Sequence, residues 1–341
     1  MKTWLWLISL FLLTWTPVQA GEFKQAEAGY PFSFPQDHGL HRGYKTEWWY
    51  YTGHLDGGPE RYGFQFTIFK LEREGSTAFL FHCALTPPQG KFVFDERLQR
   101  EFPGLAGYKN GVLWVENNRL QIEGNRHRMT SHCQGADLTL NLTHQRPPVV
   151  HGTDGISPKG TKPGNASHYY SVVDLEGTAV LDWQGQRREL KAQAWMDHEF
   201  GSNFLEPQQK GWDWVTLSLN SGLKLMLFRI RQEPGPDFLW GTWIPAQGPA
   251  TAYRGFELIP QGQWTSGASK TRYPAGFLVQ APEGQLRLTP WRADQELRTP
   301  VAGMIYFEGA VEVEGQWQGQ AVTGQGYLEM TGYAGKIEGK F

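Results

Sequence analysis

Glu47-Trp48-Trp49-Tyr50-Tyr51-Thr52-Gly53-His54-Leu55, a turn at Asp56-Gly57-Gly58, and Tyr62-Gly63-Phe64-Gln65-Phe66-Thr67-Ile68-Phe69 spell a strand, a hairpin turn and a second strand. The pattern returns as Gly211-Trp212-Asp213-Trp214-Val215-Thr216-Leu217-Ser218-Leu219, a turn at Asn220-Ser221-Gly222, and Leu223-Lys224-Leu225-Met226-Leu227-Phe228-Arg229-Ile230. A closing phrase is also written twice. Trp183-Gln184-Gly185-Gln186 precedes Ala194-Trp195-Met196-Asp197-His198-Glu199-Phe200-Gly201, and Trp317-Gln318-Gly319-Gln320 precedes Gly326-Tyr327-Leu328-Glu329-Met330-Thr331-Gly332-Tyr333. The chain therefore reads as two related units. Trp195 aligns with Tyr327, and Asp197 with Glu329, so a carboxyl group beside an aromatic ring recurs at one address.

Most of the remaining sequence alternates with period two between Gly, Asn and Asp turns such as Asn110-Gly111 and Glu283-Gly284, which predicts an all-β, antiparallel chain. The aromatic load favours closed barrels that hold something over a sandwich, hence two lipocalin-like antiparallel β-barrels arising from an internal duplication. Residues 21–206 form the N-terminal unit and 207–341 the C-terminal one, with Glu206-Pro207-Gln208-Gln209 as the linker. Glu101 to Tyr108 reads as a short helical turn. The Pro- and Gly-rich stretch 144–167 is too long and polar for an ordinary connection and reads as a flexible flap or as disorder.

Residues 1–20 carry one cation, Lys2, an apolar run from Trp4 to Leu13 and small residues before a cleavage site after Ala20, which reads as a signal peptide. The run is too short to span a bilayer, so the expectation is export to the periplasm or beyond without stable membrane insertion. Losing Lys2 from 32 basic residues leaves 31 against 34 acidic ones, a charge of −3 that offers nucleic acid nothing. An oxidising compartment would let Cys83 and Cys133, the only cysteines, pair; two buried thiols are the alternative.

Phe34-Pro35-Gln36-Asp37-His38-Gly39, together with the Glu47–Leu55, Trp195–Gly201 and Gly326–Tyr333 segments, resembles the AttH and CrtC-like family of double lipocalin-like proteins. That family includes carotenoid 1,2-hydratases (hydroxyneurosporene synthases) and secreted members described as hydrolases. The resemblance implies cofactor-free addition of water to an isoprenoid double bond, a hydro-lyase chemistry, with Asp197 matching the acidic proton donor. Protonating an alkene needs an acid kept neutral by apolar walls and π-faces near the resulting cation.

Strand alternation puts Trp195, Asp197 and Glu199 on one face and Met196, His198 and Phe200 on the other. The expected ligand, elongated and apolar or isoprenoid-like, is assigned to Glu47, Trp48, Tyr50, His54, His82, Trp195, Trp212, Trp214, Tyr327 and Glu329, with Asp197 catalytic. A structural reading stands beside each: Asp197 as a carboxylate that ties strands together, the Trp stripes as core. None of the ten histidines has the spacing of a recognised zinc site, and His38 and His41 with Asp37 are a weak signal, so no metal or cofactor is expected. No Gly-x-Ser-x-Gly elbow is present. Rival functions are a non-catalytic periplasmic carrier of lipidic molecules and a metal-dependent hydrolase. Oligomeric state is left open.

Overall fold

The structure, a computed structural model, describes residues 23–335 of the chain. The expected signal peptide and the last six residues lie outside the described residues. Apart from one 3₁₀ turn at Gln36–His38, every regular element described is a β-strand. The stretch from Glu101 to Tyr108 is a turn leading into the strand Ala106–Lys109, not a helix, since Pro103 and Gly104 break the helical phase.

A 13-stranded antiparallel sheet curls into the first barrel and a 10-stranded one forms the second. Their central orders coincide. In the first, Ser76–Thr86, Arg61–Arg73, Thr46–Asp56, Gln186–Asn203 and Ala166–Trp183 are successive neighbours; in the second, Phe238–Ile244, Lys224–Gln232, Gln209–Leu219, Gln320–Met330 and Met304–Trp317 repeat the arrangement. Register agrees residue by residue. Tyr50 faces Asp197 and Thr52 faces Trp195 in one sheet, as Trp214 faces Glu329 and Thr216 faces Tyr327 in the other. The duplication shows in the turns too. Gln184-Gly185 and Gln318-Gly319 both take positive φ at two successive residues (53° and 73°; 52° and 75°), the type I′ geometry whose twist matches a two-residue hairpin.

Each barrel has its own apolar interior: Trp49, Tyr51, Phe64, Phe66 and Met196 in the first, Val215, Leu217, Leu227 and Leu328 in the second. The residues that alternate with these point outwards, and the outer faces of the repeated strands pack against each other. Tyr50, Trp195, Trp214 and Tyr327 meet there in a third apolar cluster. Tyr50 and Trp214, which hold equivalent positions in the two units, touch edge to face with ring centroids 5.2 Å apart.

The 144–167 stretch is an ordered strap rather than a flap. Val149-Val150 and Ser157-Pro158 pair with the Ala166–Trp183 strand, and His151 and Lys159 are buried. Its polar residues find partners along that strand and on the second barrel, which compensates for the low apolar content. Cys83 and Cys133 are disulfide-bonded across the first barrel, Cα atoms 6.0 Å apart. The bond closes a 50-residue separation, for which loop entropy predicts a stabilisation of about 4 kcal/mol. Protein denatured without reductant is expected to show no free thiol; two reactive thiols under those conditions would rule the bridge out.

Candidate functional site

A narrow, mostly apolar pocket of about 70 Å³ lies between the barrels. Its walls are aromatic: Trp48 and Tyr50 from one barrel, Trp212, Trp214 and Phe228 from the other, and Tyr169. Its polar groups are Asp197, Glu199, Glu308, Glu329 and Lys159. Four acids against one amine in an apolar setting is a costly arrangement unless most of the acids are neutral.

Asp197 is buried and receives three hydrogen bonds. Tyr169 Oη donates to Oδ2 at 2.6 Å, and Trp195 Nε1 (2.6 Å) and Ser171 Oγ donate to Oδ1. Burial nonetheless dominates and, with the charge of Glu199, pushes its pKa up to about 7. Glu329 accepts from Trp212 Nε1 at 2.9 Å and is pushed up to about 8 by burial, with Asp197 and Glu199 adding repulsion. Glu308 accepts from Tyr50 Oη at 2.7 Å and is held well above the usual carboxylate range by burial and by Glu329, its partner across the strands. Glu199 is paired instead with Lys159 Nζ at 2.6 Å.

Behind Asp197 runs a chain of hydroxyls and one imidazole. His151 Nε2 lies 2.6 Å from Ser171 Oγ, and His151 Nδ1 lies 2.7 Å from Thr242 Oγ1 in the second barrel. Burial keeps His151 neutral, its pKa lowered to about 3. Because Ser171 spends its proton on Asp197, His151 must donate from Nε2, and Thr242 must donate to Nδ1. Every bond of the chain then points toward the carboxyl group.

Of the residues singled out from sequence, the structure brings Trp48, Tyr50, Asp197, Trp212, Trp214 and Glu329 together around this pocket. The others stand elsewhere. Trp195, His54 and Tyr327 line a separate polar cleft between the barrels. His82 is buried between Tyr306 Oη (2.6 Å) and Glu96 Oε1 (3.2 Å), pinning barrel to barrel. Glu47 points into the first barrel, because it precedes Trp48 and alternate strand residues face opposite ways. There its Oε1 meets His41 Nδ1 at 2.7 Å and His198 Nε2 at 2.8 Å, while His41 Nε2 reaches Asp37 at 3.0 Å and His198 Nδ1 reaches Tyr170 Oη at 2.8 Å. Asp197 and His198 thus serve opposite faces of one strand.

His41, Glu47 and His198 have the make-up of a His₂Glu metal-ligand set, with one donor atom from each lying within 4.8 Å of the others. The spacings are those of hydrogen bonds already made. His41 sits between two carboxylates that lift its pKa to about 9, and Lys70 Nζ lies 3.9 Å from Glu47 Oε2. Positive charge is therefore supplied by the protein itself. Sequence reading missed Tyr169, Ser171, His151 and Glu308. The first, second and fourth could have been found by pairing each acid strand with its hairpin partner, while the strap that carries His151 has no periodic signal.

The AttH-like family model matches residues 25–333. The crystal structure of an AttH-type protein from Nitrosomonas europaea has 31% identity and a TM-score of 0.85, covering 91% of this chain and 100% of that one. Kievitone hydratase from Nectria haematococca has 15% identity and a TM-score of 0.73, covering 93% of this chain and 97% of that one. CghA, solved with Sch210972, has 13% identity and a TM-score of 0.56 over 85% of this chain and 89% of that one. Among curated proteins none matches in sequence.

Proposed function

The chain belongs to the AttH-like family, and from that footing and the pocket's chemistry we propose that it is a cofactor-free hydratase acting on the branched, trisubstituted alkene end of an apolar, isoprenoid-like molecule. The observation that carries this reading is the set of buried carboxyl groups held near neutrality beneath aromatic walls. The name of the hydratase neighbour supports it, and the disulfide supports export to an oxidising compartment. The narrow pocket admits an end group rather than a whole long chain, so the remainder of the ligand lies along the Trp48 and Trp212 side.

Asp197 is the proton donor in this reading. Its three donors stabilise its conjugate base, which makes it a stronger acid than Glu308 or Glu329, each with one donor, while burial still keeps it protonated near neutral pH. Proton transfer to the less substituted alkene carbon leaves a tertiary cation against Tyr169 and Trp214. Water adds to the cation and gives up one proton to the cluster, so that alkene plus water becomes a tertiary alcohol with Asp197 reprotonated. Because the active form carries the proton, activity is lost as pH rises through the region of 7 to 8 set by Asp197 and Glu329.

Incubation with farnesol in ¹⁸O-water tests the reading. The expected product is a tertiary alcohol carrying the label, with a pH–rate profile that falls on the alkaline side. Binding of farnesol without any product would favour a carrier, and label in a cleaved ester supplied in its place would favour a hydrolase.

A further inference from the structure

On the four strands that meet between the barrels, consecutive residues of the outward face line two different cavities. Tyr50, Asp197, Trp214 and Glu329 border the aromatic pocket, while Thr52, Trp195, Thr216 and Tyr327, each two residues away, border a polar cleft of about 430 Å³. Residues i and i+2 of a strand are separated by about 7 Å. The wall between pocket and cleft is therefore one layer of side chains thick.

That wall contains polar atoms without a protein partner. Thr52 Oγ1 and Tyr327 Oη belong to residues only 1% exposed, and His54 Nε2 is likewise shielded. All three residues line the cleft. Buried polar groups without partners cost roughly 1–3 kcal/mol each; these atoms are shielded from the cleft as they stand, and a small shift of the side chains between brings cleft water to them. The rest of the cleft is also hydrophilic, with Gln193, Ser218 and Gln325 among its walls. Trp195, a member of the cleft-lining set, donates from Nε1 to Asp197 at the pocket. The layer that carries the orphaned hydroxyls thus also holds the Asp197 carboxyl group.

We propose that the polar cleft is the water inlet of the site: ordered water held by Thr52, His54 and Tyr327 reaches the carboxyl cluster from behind while the ligand closes the aromatic side. The inference rests on the hydratase reading and deepens it. A hydratase with an apolar entrance has to admit its second substrate by some route the first does not block, and here one layer of side chains separates the polar cleft from the carboxyl cluster.

Two arms test it. In a crystal structure at about 1.2 Å resolution, a water is expected within hydrogen-bond distance of both Thr52 Oγ1 and Tyr327 Oη, and it is expected to be lost from Tyr327→Phe. In D₂O with farnesol as the probe, Ser218→Trp fills the cleft. Hydration is expected to fall about tenfold, while deuterium incorporation at the vinylic carbon that accepts the deuteron, which needs only delivery from an acid recharged between binding events and loss of that carbon's original proton, persists. Dry hydroxyls, or an unchanged ratio of hydration to exchange in a folded Ser218→Trp protein, would overturn the inlet even if the wild type hydrates farnesol. A wild type that neither hydrates nor exchanges the probe overturns the hydratase reading and with it the purpose of the inlet, whatever waters the crystal shows.

Discussion

Replacing Asp197 with Asn is expected to lower the hydration rate of a competent substrate by 10²- to 10⁴-fold, the usual range for loss of a positioned acid, while ligand affinity stays within a few-fold. The geometry makes this substitution interpretable. Asn keeps an oxygen for Ser171 and Trp195, and the Tyr169 hydroxyl, which already accepts from Trp214 Nε1 at 3.1 Å, can turn to accept from the new amide. What is lost is the transferable proton. Glu329→Gln is the matched control: it removes the equivalent acid of the second barrel, which has one donor instead of three, and a smaller loss is expected. Kinetics on both variants, with thermal unfolding alongside, decide the matter. Equal losses would move the donor role onto the whole cluster. A steep drop in melting temperature for Asp197→Asn would make it a structural carboxylate and end the catalytic assignment.

The two acids also leave a mark on stability. Both carboxyl groups have folded-state pKa values above the usual range, so between about pH 4 and their folded values the native state holds protons the unfolded chain has released. The native state therefore loses stability progressively as pH rises from about 4 toward the folded values of 7 to 8, above which the cost is constant. Glu329→Gln is expected to gain on the wild type in stability between pH 5 and pH 8.5, read from urea midpoints at the two values. A difference that does not change with pH would mean Glu329 is ionised or solvated throughout.

Much of this arrangement was legible in the residues because it follows from period two. The alternation that separates Trp48 and Tyr50 from Trp49 and Tyr51, or Asp197 from His198, holds in any strand, and the repeated Trp-Gln-Gly-Gln turn marks the same corner of each barrel. Placing Asp197 and Glu329 at one address needed only the duplication. Alternation also carried a warning about Glu47, adjacent to Trp48 and so bound to face the other way. The contents of the pocket were less legible, because they depend on how two sheets lie on each other. Nothing local in the sequence says that Tyr50 reaches Glu308, that His82 meets Tyr306, or that Thr242 of the second barrel lies against His151. The strap around His151 was misread for a related reason. Its Pro and Gly content removes any periodic signal, and its order comes from partners far away in sequence.

Glu47→Gln should give a large loss of stability. Glu47 is fully buried and lies where His41, His198 and the His41 backbone N–H converge, with the latter donating to Oε2 at 2.9 Å. A Gln amide in that place turns N–H toward N–H at the backbone contact and leaves the His41 cation with Asp37 alone. Breaking a buried pair from one side costs about 3–5 kcal/mol, a large share of a typical domain's stability. The pH dependence identifies the cause. His41 has its folded pKa raised from 6.5 to about 9, so its contribution is fully present below 6.5 and disappears as pH climbs through 9. Glu47 and Asp37 are shifted down, mainly by their bonds to histidine against the opposing effect of burial, so their contribution is present above the ordinary carboxylate values of 4.5 and 3.8 and is lost only as pH falls through lower ones. The deficit of Glu47→Gln relative to wild type is therefore expected to be greatest between about pH 4.5 and 6.5 and to shrink toward pH 9.5, where wild-type His41 is losing its proton as well. Urea unfolding of both proteins at pH 6 and pH 9.5 measures this directly. A deficit equal at the two values would show that Glu47 holds the barrel through neutral hydrogen bonds and that the charge on His41 plays no part.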